Sequence, residues 1–239
     1  MKKTLITLLA LGSLAMGVTY DDFTKYNVAS TVTTTGFDYT TNAVTVAVTL
    51  NIDTIKGYFC DVDATWVPNP TETNQNAGSW TTVSHMLVKV TGNNGIGVGT
   101  LVKDDTKEYF SGAWNSTIDY TPTGIDTDMD RANLWENATE ASLVFSADRT
   151  TGARIVFTMK YDDGTIFQTL GTATGVKSSN WTPSGLELDT KAVESVAMYN
   201  TYISADDAKA IGTKLVPEPT TATLSLLALA GLATRRRRK

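Results

Sequence analysis

Histidine and cysteine each occur once in this chain of 239 residues, as His85 and Cys60. One thiol cannot close an internal disulfide, so the core must stand on packing alone. Cys60 lies between Phe59 and Asp61, where a small buried hydrophobe is the expected role. A lone histidine in a strand-like stretch is a poor basis for a Ser-His-Asp relay, and no Gly-x-Ser-x-Gly elbow is present to lift a serine. Long apolar runs are also missing. The two apolar stretches lie near the ends, and both fall short of the ~20 residues that span a bilayer comfortably.

Between the ends the chain is rich in Thr, Val, Asn, Asp and Gly, which predicts an all-β extracellular type of domain. Val44, Val46, Val48, Leu50 and Ile52 alternate with Thr45, Ala47, Thr49 and Asn51, so a strand with one buried and one polar face is expected. Ile155, Phe157, Met159 and Tyr161 repeat the pattern, with partners at 141–147 and 165–170 across turns at Thr151-Gly152 and Asp162-Asp163-Gly164. Residues 84–91 and 96–103 flank Gly92-Asn93-Asn94-Gly95, a hairpin signal because Asn-Gly tolerates the positive φ of a tight turn. A late strand is expected over 193–200. One helix follows over 204–211, capped by Ser204 and with Asp206 and Asp207 at its positive end. The strand rhythm breaks at 67–79 and 111–138; the second stretch is long enough to require short strands or a functional loop.

The two ends have their own logic. Met1-Lys2-Lys3, then the apolar stretch Thr4 to Leu14, then small residues at Ala15 and Gly17, make up a secretory signal with cleavage expected after Gly17. A buried N-terminal helix is the competing reading, and the abrupt break into Val18-Thr19-Tyr20-Asp21-Asp22 argues against it. At the other end, two prolines at 217 and 219 cannot continue a helix or donate to a sheet, so the chain leaves Leu215 extended. A helix-prone apolar stretch of 12 residues, Ala222 to Ala233, is followed by Arg235, Arg236, Arg237, Arg238 and Lys239, which belong on the cytoplasmic side of a membrane.

Pro217-Glu218-Pro219, the short hydrophobic segment and the basic terminus together resemble a PEP-CTERM sorting signal. The resemblance covers the last 24 residues, 216–239. It implies a bacterial protein that uses the Sec translocon and signal peptidase to cross the inner membrane. It further implies a transient tether and cleavage near Pro-Glu-Pro by an exosortase-type protease, with release to the cell surface or outside. A simple tail anchor is the alternative. A nucleic-acid-binding basic tail does not fit behind a membrane segment on an exported chain.

Setting both ends aside changes the charge. Seven of the 20 Lys and Arg lie in the ends, leaving 13; only Glu218 of the 25 acids is lost, leaving 24. The domain 18–215 therefore carries about −11 where the whole chain carries −5. Such a surface repels nucleic acid and suits divalent cations or neutral glycans.

The closing segment, Val193 to Asn200 and then Tyr202-Ile203-Ser204-Ala205-Asp206-Asp207, resembles the end of a laminin-G/concanavalin-A-like jelly roll, as do the strands around Asp162-Asp163-Gly164. The expected fold class is thus an all-β, antiparallel sandwich of jelly-roll type over 18–215 with one short C-terminal helix, flanked by a signal peptide (1–17) and a hydrophobic sorting helix. The resemblance transfers no binding residues, since the sole histidine, His85, lies away from the position of the family's histidine-bearing strand.

Candidate chemistry is sparse. Glycosidases on such scaffolds need two carboxylates astride the bond; the clusters on offer are Glu187 with Asp189 and Glu136 with Glu140, without the family's acidic strand pattern. Asp126, Asp128 and Asp130 are spaced like the opening of an EF-hand, but Arg131 and Asn137 occupy positions that require Gly and Glu. What survives is a looser Ca²⁺ site, or a solvated acidic loop; no other cofactor is expected. Tryptophans are natural glycan platforms, and Trp80 and Trp114 lie in Asn/Gly/Ser-rich segments, although most tryptophans are core residues. The functional expectation is a non-catalytic surface domain that binds extracellular polysaccharide or serves a matrix-structural role. The alternatives are a glycoside hydrolase or lyase on the same scaffold, and an inert coat or adhesion protein.

Overall fold

The computed structural model describes residues 17–34, 37, 39, 43–60, 66–68, 78–80, 83–93, 96–103, 106–113, 116–117, 121–123, 135–174 and 182–216. Two antiparallel sheets pack face to face. The larger runs β1 (Thr24–Tyr26), β16 (Val193–Tyr199), β3 (Ala43–Leu50), β11 (Ala138–Asp148), β12 (Gly152–Tyr161), β14 (Leu170–Thr174), β10 (Thr121–Thr123), with β13 (Ile166–Gln168) also paired to β12. The smaller runs β2 (Thr31–Val32), β15 (Thr182–Leu188), β6 (Val83–Asn93), β7 (Ile96–Lys103), β8 (Thr106–Ala113), β9 (Ser116–Thr117). A separate ribbon pairs β4 (Trp66–Pro68) with β5 (Gly78–Trp80). The two stretches where the strand rhythm failed thus hold short strands.

The strand expectations hold with small shifts of boundary. β11 and β12 pair from Ala138↔Tyr161 to Asp148↔Gly152, and β6 and β7 form the expected hairpin. At the Asp162-Asp163-Gly164 turn, Gly164 has φ +83°, a conformation a side chain would resist, and Asp163 accepts from the Thr165 N–H at 2.8 Å.

The inner face of the large sheet supplies Val44, Val46, Val48, Leu50, Leu143, Phe145, Ile155, Phe157 and Met159, all buried against Val88, Val90, Ile96, Val98 and Leu186 of the small sheet. Trp135 joins this core, fully buried and edge-on to Phe157 with ring centroids 5.7 Å apart. It is therefore a packing residue, as most tryptophans are.

Two expectations require correction. First, there is a second helix, α1 (Ile52–Cys60), besides the C-terminal α2 (Ala205–Leu215). The alternation that began at Val44 suggested strand through Ile52, but Asn51 takes over as a cap. Its Oδ1 accepts from the Thr54 N–H at 2.9 Å, and its carbonyl accepts from the Ile55 N–H. Second, β3 has no polar, solvated face. Thr45 and Ala47 are buried as completely as Val46, because α2 lies over the outer face of the large sheet. The buried residues of α2, Ala208, Ile211, Gly212 and Leu215, fall at helical spacing; Ala208, Ile211 and Leu215 meet Ala47, Val144, Val156 and Ala197, and Gly212 lies against Thr158. Helix α2 is capped by Ser204, whose Oγ accepts from the Asp207 N–H at 3.0 Å, as expected.

Candidate functional site

Helix α1 closes one end of the sandwich and touches strands of both sheets, β7 and β11. Ile55 is its anchor, fully buried in the main core. Three residues on, one turn away on the same face, Tyr58 reaches the rim. There its ring stacks on His85 of β6, centroids 3.6 Å apart and planes within 1°. Its hydroxyl donates to Asp189 Oδ2 at 2.5 Å. Asp189 sits in the turn between β15 and β16 and is itself fixed. Its N–H donates to Leu87 O, its Oδ1 accepts from the Lys191 N–H, and its carbonyl accepts from Ala192 and Val193. The chain thus brings one residue from each of three separate segments to a single half-buried cluster.

The electrostatics of this cluster are one-sided. Burial, then the hydrogen bond and charge of Asp189, push the Tyr58 phenol up to about 12. Tyr58 is therefore a firm donor and a poor base at neutral pH. Burial holds the His85 imidazole below its ordinary value, with the Asp189 charge opposing, so His85 is neutral at pH 7. Asp189 gives its Oδ2 to the Tyr58 hydroxyl and its Oδ1 to the Lys191 N–H. The arrangement can hold a neutral imidazole and a phenol at the surface. Among the described residues it lacks the carboxylate-to-imidazole bond that orients a general base.

A second feature lies near the end of α2. An open cleft of about 220 Å³ is lined by Thr49, Thr139, Glu140, Glu194, Leu215 and Val216, among others. Glu140 is paired with Lys160 at 2.7 Å, and Glu194 accepts from the Asn51 amide at 3.1 Å. Both carboxylates thus have partners already.

The sequence candidates scatter. Glu187 is exposed and pairs with Lys89 at 2.8 Å, while Asp189, two residues on, is bound to Tyr58. Glu136 is exposed and Glu140 is held by Lys160. The two candidate acid pairs are thereby divided among different partners. Trp80 lies in β5 and is the direct register partner of Trp66 in β4. Trp114, Asp126, Asp128, Asp130, Pro217, Glu218, Pro219 and the basic run from Arg235 through Lys239 lie outside the described residues. Among the described residues no group of three His, Cys, Asp or Glu side chains is placed to hold a metal ion, and no helix is long and apolar enough to cross a membrane.

Sequence reasoning missed the Tyr58 cluster because Tyr58 and Asp189 stand 131 positions apart along the chain, with nothing local to link them. The one available signal was Asn51 three residues before Thr54, a helix start that would have placed Ile55 and Tyr58 on one face. No family model matches this chain, and no curated protein matches it.

Proposed function

We propose that this is an exported, exosortase-sorted surface protein, whose body is a non-catalytic jelly roll of the laminin-G/concanavalin-A-like kind that binds extracellular polysaccharide or serves a matrix-structural role. The observation that supports the sorting half is where helix α2 ends. Helix α2 closes with Val216, which is buried and caps the helix through its N–H to Thr213 O. Pro217-Glu218-Pro219 begins at the very next residue. A protease address fits there, since neither proline can extend the helix and a cut beyond Val216 leaves α2 whole.

The glycan half is supported by the opposed register of Trp66 and Trp80. Directly paired positions are neighbours across an antiparallel ribbon, and tryptophan is the residue type whose ring stacks on a pyranose. The domain charge of about −11 fits neutral glycans better than anionic ones.

The test has two arms. The exported chain carrying Pro217→Ala and Pro219→Ala is expected to stay with the membrane fraction while the unaltered chain is released; equal release would refute the sorting reading. A glycan array probed with the released protein is expected to give signals that Trp66→Ala and Trp80→Ala both remove, whereas uniform silence leaves the matrix-structural role.

A further inference from the structure

The two ends of the described chain meet on the outer face of the large sheet. Val18 and Tyr20 pack into the same apolar cluster as Ala208, Ile211 and Leu215 of α2. Asp21 pairs with Lys214 of that helix at 2.5 Å. At the start of the helix the approach is closer still. A Cβ placed on Gly17 would lie 2.5 Å from Asp207 Oδ1. The Val18 nitrogen follows two covalent bonds beyond the Gly17 Cα, about 2.4 Å away across a trans peptide.

Two of the neighbouring acids are already engaged. Asp21 holds Lys214, and Asp22 accepts from the Thr19 N–H at 2.8 Å and from its hydroxyl at 3.0 Å. The Oδ2 of Asp207 takes the Ser204 hydroxyl at 2.7 Å. That leaves Oδ1 of Asp207 turned to Gly17. The geometry points to a maturation lock: cleavage after Gly17 creates a Val18 ammonium that pairs with Asp207 and ties the new N-terminus to the helix from which the sorting tail leaves. This lock rests on the export reading above.

The covalent step is a hydrolysis. Signal peptidase cuts the Gly17–Val18 peptide bond with one water, leaving a carboxylate on Gly17 and an amine on Val18. A free α-amine is mostly protonated at neutral pH, whereas the amide it replaces carries no charge. An ammonium beside the positive end of a helix is unfavourable by itself, so the lock depends on the carboxylate at that spot. Gly17 then serves two ends: small enough for the peptidase, and small enough to lie against Asp207 before the cut.

The experiment is a double-mutant cycle on the exported, processed chain. A variant with Gly-Ser inserted between Gly17 and Val18 is still cut after Gly17 but carries its ammonium two residues further out, as mass spectrometry verifies. Asp207→Asn is made in both backgrounds, so the loss of Asp207 from its own helix end cancels. With the native terminus, Asp207→Asn is expected to lower Tm by about 2–4 °C more than it does in the extended chain. Equal drops in the two backgrounds would overturn the lock while leaving export intact. An exported chain whose first residue is not Val18 would overturn the cleavage reading, and the lock with it.

Discussion

The two faces of the large sheet are built from the same strands and buried to the same degree, yet they solve different problems. The inner face is aliphatic and aromatic throughout, with Val46, Leu143, Phe145, Phe157 and Met159 filling the space to the small sheet. The outer face sets Val144 and Val156 among small and hydroxylated residues, Thr45, Ala47, Ser142, Ser146, Thr158 and Ala197, all buried beneath α2 and the segment leading into it. Two sheets pack about 10 Å apart and need volume between them. A helix carrying Gly212 against the sheet needs closeness, and closeness brings backbone polar groups within reach of the strands. Ser142 accordingly donates to Gly212 O at 2.9 Å. A relay also runs from Ile203 N–H to Ser146 Oγ, from Ser146 to Thr45 at 2.8 Å, and from Thr45 to Thr201 O at 2.7 Å.

Substitutions of opposite kinds probe the two faces. Phe145→Ala on the inner face should cost the most, about 3–5 kcal/mol, because it leaves a void between two sheets that cannot collapse; urea unfolding reads it directly. On the outer face Ser146→Ala removes only one oxygen, yet it strands the buried Ile203 N–H and cuts the relay. A loss of about 1–3 kcal/mol is expected by the same measurement. A value near zero would mean that the relay adds nothing beyond space filling.

Gly212→Ala tests closeness itself. Helix propensity favours the alanine by about 1 kcal/mol. Its Cβ, however, would press into Thr158 Oγ1, which also accepts from Gln168 at 2.9 Å. A net destabilisation of about 1 kcal/mol is expected, reduced when Thr158→Ala is added; a stabilised Gly212→Ala protein would show that α2 has room to move.

The smallest effect belongs to the Tyr58 cluster, away from both faces. The folded His85 value lies below the unfolded one near 6.5, chiefly through burial. As pH falls through that window the unfolded chain takes up the proton first, so stability is complete above about 6.5 and declines below it. The urea midpoint should therefore fall modestly between pH 7.5 and 5.5, and His85→Phe, which keeps the ring on Tyr58, should flatten that slope.

The inner face was legible in the residues because a half-buried strand is nearly the sole structure that alternates large apolar side chains with period two. Ile155, Phe157 and Met159 were placed inward by that pattern alone and are buried there. The outer face was not legible. Thr45 read as a solvated position, since a threonine on a strand looks the same under water as under a helix. Nor was α1 legible as a helix, because Ile52 continued the alternation while Asn51 stopped it. Of the site, His85 was placed correctly on a strand, but its stack on Tyr58 and the reach of Tyr58 to Asp189 join residues no local pattern connects.

The residues alone settled what short-range rules govern: strands from alternation, turns from Gly and Asp, the Ser204 cap, and ends whose charge and apolar lengths differ from the middle. Which polar residues are buried, where the segment from Gly17 to Asp22 meets α2 and which acids are already engaged emerged only once the chain was folded. Those facts follow from α2 and the N-terminal segment folding back over one sheet. The free energy of that docking lies in contacts between residues up to 193 positions apart, as Asp21 and Lys214 are, and long-range contacts leave no periodic trace in a sequence.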